Sequence, residues 1–229
     1  MFEHSPELYD LIYSHKDYEA EASWIRDALL QRRPDTRTVL DVACGTGRHL
    51  EALRRSFVCE GVDLSAQFVR IARQRSGVPV HVGDMDSLDL GRQFDAVVCM
   101  FSAIGYSKNL ESAISGMAAH LHPGGVLVVE PWYTPEQWTA GFVQVLDREA
   151  DGIRVVRMSH SGVEGNVSTM EMHHLVGTPL TVEHFVETHR MTLFGFDEYE
   201  AAFRRAGLSY ELVEPGPFGR GALIGTGRL

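Results

Sequence analysis

A chain of 229 residues with a formal charge of -10 is long enough to bury an α/β core without disulfides or metal. Its acidic balance argues against nucleic acid as a partner. Cys44, Cys59 and Cys99 lie in or beside apolar runs, as reduced thiols do, which points to the cytoplasm.

No apolar run reaches the ~18 residues of a membrane span, and the opening MFEHSPELYDLIY has neither a basic leader nor a long apolar stretch, so export and membrane insertion are not expected. From Pro6 to Tyr13 the apolar residues fall at helical spacing, with Leu8, Tyr9, Ile12 and Tyr13 on one side. After a turn, a second helix is predicted over Tyr18–Arg32, carrying Ala22, Ile25, Leu29 and Leu30 inward. A helical pair ahead of the first strand can fold over the ligand edge of an open α/β sheet as a lid. Tyr9, Tyr13, Lys16 and Tyr18 are therefore candidates for closing a cofactor site, although packing alone would also account for the tyrosines.

The stretch VLDVACGTGRH then runs from a short strand, Val39–Val42, through a glycine turn into a helix beginning near Arg48. Such a turn exposes main-chain N–H groups at a helix start and lets a ligand approach where side chains are missing. Gly45 and Gly47 are present, but Leu50 stands where dinucleotide-binding turns carry a third glycine. Strand two, Cys59–Val62, is followed by Asp63, about 20 residues beyond the turn, where an acid can accept hydrogen bonds from ribose hydroxyls. A helix over Ala66–Arg75 and a third strand, Val78–Val82, lead to Asp84. FDAVVCMFSAIGY holds a fourth strand, Phe94–Phe101, apolar on both sides as suits the centre of a parallel sheet, and ends in Tyr106. A helix over Leu110–Leu121 is stopped by HPGG, and Val126–Glu130 is the fifth strand.

Beyond Trp132 the pattern becomes β-rich. FVQVLDRE, IRVVRMSHS, NVSTMEMHHLV and TVEHFVETHRMTLF are separated by Asp-Gly, Glu-Gly and Thr-Pro, which reads as antiparallel strands joined by hairpins. FDEYEAAFRRAGL is then a helix, and SYELVE and ALIGTG are a terminal pair of strands. The histidines have no recognisable metal-ligand spacing, so no metal is expected.

Strand with glycine turn, strand with acid, strand with Asp is the order found in class I S-adenosylmethionine-dependent methyltransferases, which the chain resembles. The resemblance implies an α/β, Rossmann-like seven-stranded sheet, mostly parallel with an antiparallel last strand, and S-adenosyl-L-methionine as cofactor. The expected core comprises residues 1–132 and 191–229, with 1–33 a helical lid. An antiparallel β insert over 133–190 would cover the acceptor site, placing cofactor and acceptor pockets side by side. The cofactor contacts carried over are Tyr9 and Lys16 from the lid, Ala43, Gly45 and Gly47 from the turn, Asp63 at ribose, Asp84 and Met85 at adenine, and Met100 on strand four. Met100 is most simply read as a core residue whose backbone borders the pocket.

YDLIY with KDY, LDVACGTG, GDM, MFSAIGY, PGGVLVVEPW, RMSHS, MEMHHLV and GPFGRG together resemble the nucleotide-linked amino-sugar N,N-dimethyltransferases of macrolide antibiotic pathways. The resemblance spans nearly the whole chain. It implies a thymidine-diphosphate-linked 3-amino deoxysugar as acceptor, dimethylation and a homodimer. Matching motifs assign Tyr18, Ser159 and Arg220 to the diphosphate; a guanidinium can clamp phosphate oxygens bidentately. Glu130, Trp132, Tyr133 and Tyr106 would face the sugar from strand ends. The chain departs from the family pattern at Asp63, where Glu is common, and at Tyr133, where a second Trp is common. Because the sulfonium already activates the methyl group, alignment matters more than a strong base. An aliphatic ammonium must still lose a proton, for which Tyr106 or His160 is a candidate. The alternatives are methylation of the N or O of another small metabolite, and a noncatalytic cofactor-binding protein.

Overall fold

The computed structural model describes residues 6–214 and 218–228. The chain divides into two compact units. One comprises Asp17–Tyr133 with Phe194–Leu229, and the other the residues up to Lys16 with Thr134–Leu193.

The larger unit is built on strands β1 (Thr38–Val42), β2 (Val58–Asp63), β3 (Val80–Val82), β4 (Phe94–Cys99), β5 (Leu121–Val129), β10 (Glu211–Val213) and β11 (Ala222–Thr226). Their order across the sheet is β10-β11-β5-β4-β1-β2-β3. β11 runs antiparallel to both its neighbours, whereas β1 to β5 pair in parallel. Alternation along the central strands divides the core. Val39, Ala96, Val98, Val126 and Val128 pack on one face with Ile25 and Leu29 of α2 (Tyr18–Arg32), Leu50 and Leu53 of α3 (Arg48–Leu53), and Val69 and Ala72 of α4 (Ala66–Ser76). Leu40, Val42, Val97, Cys99, Leu127 and Val129 pack on the other with Ile114 and Met117 of α5 (Leu110–Ala119) and Tyr199 and Phe203 of α6 (Phe196–Arg205). Side chains fix the helix starts: Asp17 accepts from Ala20 N–H, Ser65 from Phe68 N–H and Asn109 from Ser112 N–H.

The missing third glycine has a structural counterpart. Leu50 is fully buried, and Gly61 in the middle of β2 makes room for it: a Cβ there would lie 2.6 Å from Leu50 Cδ1 and 2.9 Å from Cys44 Sγ. Close helix–strand packing is thus achieved by removing a side chain from the strand instead of the helix.

Several boundaries differ by a residue or two from those expected, and two of the differences have a clear cause in the main chain. HPGG lies within β5 because α5 ends at Ala119; the register between β4 and β5 shifts between Phe94 and Ala96, and Gly124 adopts φ +69°. The glycines let an irregular strand continue where a loop was expected. β4 stops at Cys99 because the main chain at Phe101 and Ser102 turns left-handed.

The smaller unit is a four-stranded antiparallel sheet in the order β6-β7-β8-β9, with β6 (Val143–Ala150), β7 (Ile153–Glu164), β8 (Val167–Gly177) and β9 (Val182–Thr192). β6 and β7 are joined by Asp151–Gly152, with φ +52° and +76° as a type I′ turn requires. Gly165 supplies positive φ between β7 and β8. Helix α1 (Pro6–Ile12) contributes Ile12 to a core with Leu146, Val155 and Val176 of this sheet. The first helix is expected in the cofactor-binding core, but its apolar stripe belongs to the small unit, because β6–β8 present the matching aliphatic side chains.

Candidate active site

In the larger unit the chain leaves β1 through a turn in which Ala43, Gly45 and Gly47 all have positive φ, at +59°, +55° and +79°. At Gly47 the requirement is steric as well, since a Cβ would lie 2.9 Å from Ala72 Cα. The turn is tied to the end of β2. Asp63, at the last position of that strand, accepts from Gly45 N–H through Oδ2 and from Ser65 N–H through Oδ1, both at 2.8 Å. Burial pushes the Asp63 carboxyl above the usual carboxylate range, and the two N–H groups oppose that shift. Each oxygen has a second lone pair, so the carboxylate can also accept from a ligand hydroxyl.

Asp41 lies on β1 just before the turn, within the motif, but spacing did not single it out. It is 1 % exposed, and its Oδ2 has no hydrogen-bond partner. Burial raises its carboxyl to about 7, opposed by the field of His49 and reinforced by that of Asp63. His49 in the first turn of α3 pairs with Glu21 of α2 at 2.8 Å, both buried, and its ring meets the edge of Tyr18 at 5.0 Å. Tyr18 is thereby fixed beside the turn, with the Arg48 guanidinium 5.9 Å from its ring centre. Glu21 and His49 are 28 residues apart in the sequence and gave no local signal.

Asp84 follows β3, is exposed, and caps a short 3-10 turn, Met85–Ser87, by accepting from Asp86 N–H. Asp86, also missed by sequence reasoning, accepts from Ser107 Oγ and from Lys108 N–H and so braces the segment after Tyr106. Tyr106 is half-buried at the end of a second 3-10 turn, Ala103–Tyr106. Met85 is half-buried, whereas Met100 is 2 % exposed within the core. The Met100 side chain is committed to packing, leaving its main chain as the part available to a ligand.

Four of the expected acceptor residues are brought together. Glu130, immediately after β5, is fully buried and pairs with Arg220 at 2.7 Å. The Arg220 Nε also donates to Ser102 Oγ at 2.8 Å, and its guanidinium lies 5.4 Å from the ring centres of both Trp132 and Tyr133. The Nε/Nη2 edge of Arg220 is held by Ser102 and Glu130, and the five-donor guanidinium keeps further N–H groups on its other edge.

Tyr9, Lys16, Ser159 and His160 belong to the smaller unit. The Tyr9 ring lies 4.7 Å from that of Tyr13 at a 56° tilt, the Tyr13 hydroxyl accepts from buried Arg157 at 3.2 Å, and Lys16 is half-buried. Strand alternation separates Ser159 from His160. Ser159 shares the face of Val155 and Arg157, whereas His160 is exposed on the opposite face. Among the described residues no group of histidine, cysteine and acidic side chains could hold a metal.

The residues at the glycine turn fit S-adenosylmethionine. A Cβ on Gly45 would meet nothing within 4 Å, so space lies open beside the turn, and the acidic Asp41 and Asp63 suit a cationic ligand. Sheet order and glycine turn together define a class I S-adenosylmethionine-dependent methyltransferase. A methyltransferase-domain family model matches residues 39–125. The chain is 47 % identical over 228 residues to the dTDP-3-amino-3,4,6-trideoxy-alpha-D-glucopyranose N,N-dimethyltransferase of Streptomyces venezuelae, covering 96 % of each. It is 46 % identical to the dTDP-3-amino-3,6-dideoxy-alpha-D-glucopyranose N,N-dimethyltransferase of Streptomyces fradiae, covering 96 % of this chain and 89 % of that one. The crystal structure of Streptomyces venezuelae DesVI superposes with a TM-score of 0.93 at 47 % identity, over 96 % of this chain and 97 % of that one. SAM-bound CalS10, an amino pentose methyltransferase from Micromonospora echinaspora, superposes with a TM-score of 0.89 at 39 % identity, over 96 % of both chains. The chain belongs to the family of the dTDP-amino-sugar N,N-dimethyltransferases, and its cofactor is S-adenosyl-L-methionine.

The position of Asp41 has a measurable consequence. A carboxyl whose folded-state pKa exceeds its unfolded value binds more protons when folded between those two values, so stability falls as pH rises through that window. For Asp41 the window runs from about pH 4 to about pH 7. Asp41→Asn is expected to raise stability by roughly 2–4 kcal/mol at pH 8, with the gain closing toward pH 4. Denaturant titrations across that range check this; a pH-independent difference would contradict it.

Proposed function

We propose that this enzyme N,N-dimethylates the amino group of a dTDP-linked 3-amino deoxysugar. The observation that carries the reading is the reach of the 47 % identity, which runs through the antiparallel insert and C-terminal loop as well as the shared glycine-turn motif. Cofactor motifs alone serve many acceptors, whereas these later segments distinguish one methyltransferase from another. Ala43, Gly45 and Gly47 receive the cofactor with Asp63 at ribose and Asp84 and Met85 at adenine; Tyr9 and Lys16 are assigned to it as well. Tyr18, Ser159 and Arg220 are assigned to the diphosphate. Glu130, Trp132, Tyr133 and Tyr106 are assigned to the sugar.

The cofactor supplies a methyl group activated by positive charge on sulfur. The protein's task is to hold a neutral amine in line with it and exclude competing water. Tyr106 accepts the ammonium proton or passes it to water. Incubation with methyl-labelled S-adenosylmethionine and a dTDP 3-amino deoxysugar is expected to yield the mono- and then the dimethylated sugar. Transfer to other small amines but not to this acceptor would overturn the assignment.

The enzyme is also proposed to be a cytoplasmic homodimer. Buried Cys44, Cys59 and Cys99, all free thiols, support the compartment. No helix among the described residues is long and apolar enough to cross a membrane. The dimer reading is supported by one face of the small unit's sheet, where Val145 of β6 and Met158 of β7 are directly paired and exposed at 57 % and 52 %, and Val186 of β9 is exposed at 39 % on the same face across His173 of β8. Sedimentation should give a dimer for the parent and a monomer for Val145→Glu/Met158→Glu. A monomeric parent, or a dimer indifferent to both charges, would reject this face.

A further inference from the structure

Two short turns at the carboxyl edge of the large sheet come from strands that are not neighbours. β3 leads to Asp84 and the 3-10 turn Met85–Ser87, and β4 leads through Phe101 and Ser102 to the 3-10 turn Ala103–Tyr106. In the order β4-β1-β2-β3 two strands separate their ends, a gap of roughly 14 Å at three interstrand spacings. The strands between are those that end in the glycine turn and in Asp63. One side chain bridges the two turns. Asp86 accepts from Ser107 Oγ–H and, through its other oxygen, from Lys108 N–H at 2.9 Å.

Neither turn is held by its strand alone. β3 is a three-residue edge strand paired with β2, and its turn is closed by a long hydrogen bond, Ser87 N–H to Asp84 O at 3.2 Å. The Asp84 side chain adds a second by accepting from Asp86 N–H at 2.9 Å, while Met85 and Leu88 join the core formed with Leu110, Ala113 and Met117 of α5. Ser107 passes the restraint on to Tyr106. It is 1 % exposed, its hydroxyl donates to Asp86 and accepts from Asn109 N–H at 3.1 Å, and its own N–H donates to Ile104 O at 3.0 Å. That last bond closes the turn that ends in Tyr106. A carboxylate suits the bridge because an O–H and an N–H converge on it and it offers each an acceptor oxygen.

We infer that Asp86 is a positioning residue for methyl transfer, which holds Ser107 and Lys108 and thereby fixes Tyr106 relative to the adenine turn at Asp84 and Met85. A cofactor that orders the adenine turn then also orders Tyr106, and by linkage an acceptor that engages Tyr106 favours the cofactor-bound turn. The placement of Tyr106 at the acceptor and of Asp84 and Met85 at adenine rests on the function proposed above; the bridge between the turns does not.

The test follows Tyr106 directly, through the fluorine resonance of a fluorotyrosine incorporated at that position. In the parent, S-adenosylhomocysteine is expected to draw the resonance into a single narrow line. In Asp86→Ala, and in Ser107→Ala, which removes only the bridging hydroxyl, the line should stay broadened or split at saturating S-adenosylhomocysteine, with its Kd changed less than ~3-fold. In turnover with the dTDP 3-amino deoxysugar, Asp86→Ala is expected to lower kcat ~10-fold with acceptor KM changed less than ~3-fold, a split that marks lost positioning and not lost binding. Introduced into Tyr106→Phe, the same change should cost less than ~2-fold, because a residue that acts through the Tyr106 hydroxyl has nothing left to position. Asp86→Asn, which can still accept Lys108 N–H and donate to Ser107 Oγ, should keep the narrow line and roughly a third or more of the parent kcat. A narrow line in Asp86→Ala and Ser107→Ala like that of the parent, a parent resonance indifferent to S-adenosylhomocysteine, or kcat losses that multiply independently in Asp86→Ala/Tyr106→Phe would overturn the inference. Should the parent fail to use this acceptor, the function proposal fails; the fluorine line still decides whether Asp86 holds Tyr106.

Discussion

The Asp63 carboxylate joins two turns at the carboxyl edge of the sheet, accepting one main-chain N–H from the glycine turn after β1 and another from the start of the segment after β2. The glycine turn needs this support. Cys44 N–H is accepted by Val62 O and Gly47 N–H by Cys44 O, which leaves Gly45 N–H to the Asp63 carboxylate, and a buried N–H without an acceptor is costly. Burying the carboxylate is costly too, and the two charge-assisted hydrogen bonds offset it. The result is a turn held open beside acidic groups, which is what a cationic adenosyl ligand requires. Asp41 extends the same field from beneath the turn, and the Glu21–His49 pair anchors α2 to the helix that the turn begins.

A second carboxylate does comparable work at the end of β5. Glu130 gathers Phe101, Ser102 and Arg220 much as Asp63 gathers Gly45 and Ser65. In both places the edge of a regular sheet is shaped by one buried acid that accepts main-chain N–H groups from a left-handed turn. Neighbouring strands supply the rigidity, since β1, β4 and β5 are apolar on both faces and packed between helices.

Much of this was legible in the sequence where the signal is local. The period-2 runs and the Asp-Gly turn located the small sheet's hairpins, and the Tyr18–Arg32 helix follows from its apolar spacing. The glycine turn and Asp63 were legible because strand, turn and acid recur at a fixed spacing. What was hidden depended on residues far apart in the chain. Arg220 and Glu130 are 90 residues apart, so a glycine-flanked arginine reads equally well as a phosphate clamp or as a partner for a buried acid. The companion of Leu50, Gly61, sits on a different element, and the continuation of β5 through HPGG depends on pairing with β4. By contrast, the opposite orientation of Ser159 and His160 was available from β7's alternation alone.

The central claim is that the Asp63 carboxylate fixes the turn that receives the cofactor. Calorimetric titration of S-adenosylhomocysteine into the parent and into Asp63→Ala measures this most directly. The account predicts a loss of roughly 1–3 kcal/mol in binding, or about 5- to 150-fold in Kd, from removing charge-assisted hydrogen bonds at the turn. An affinity equal to that of the parent in a variant that remains folded would contradict it.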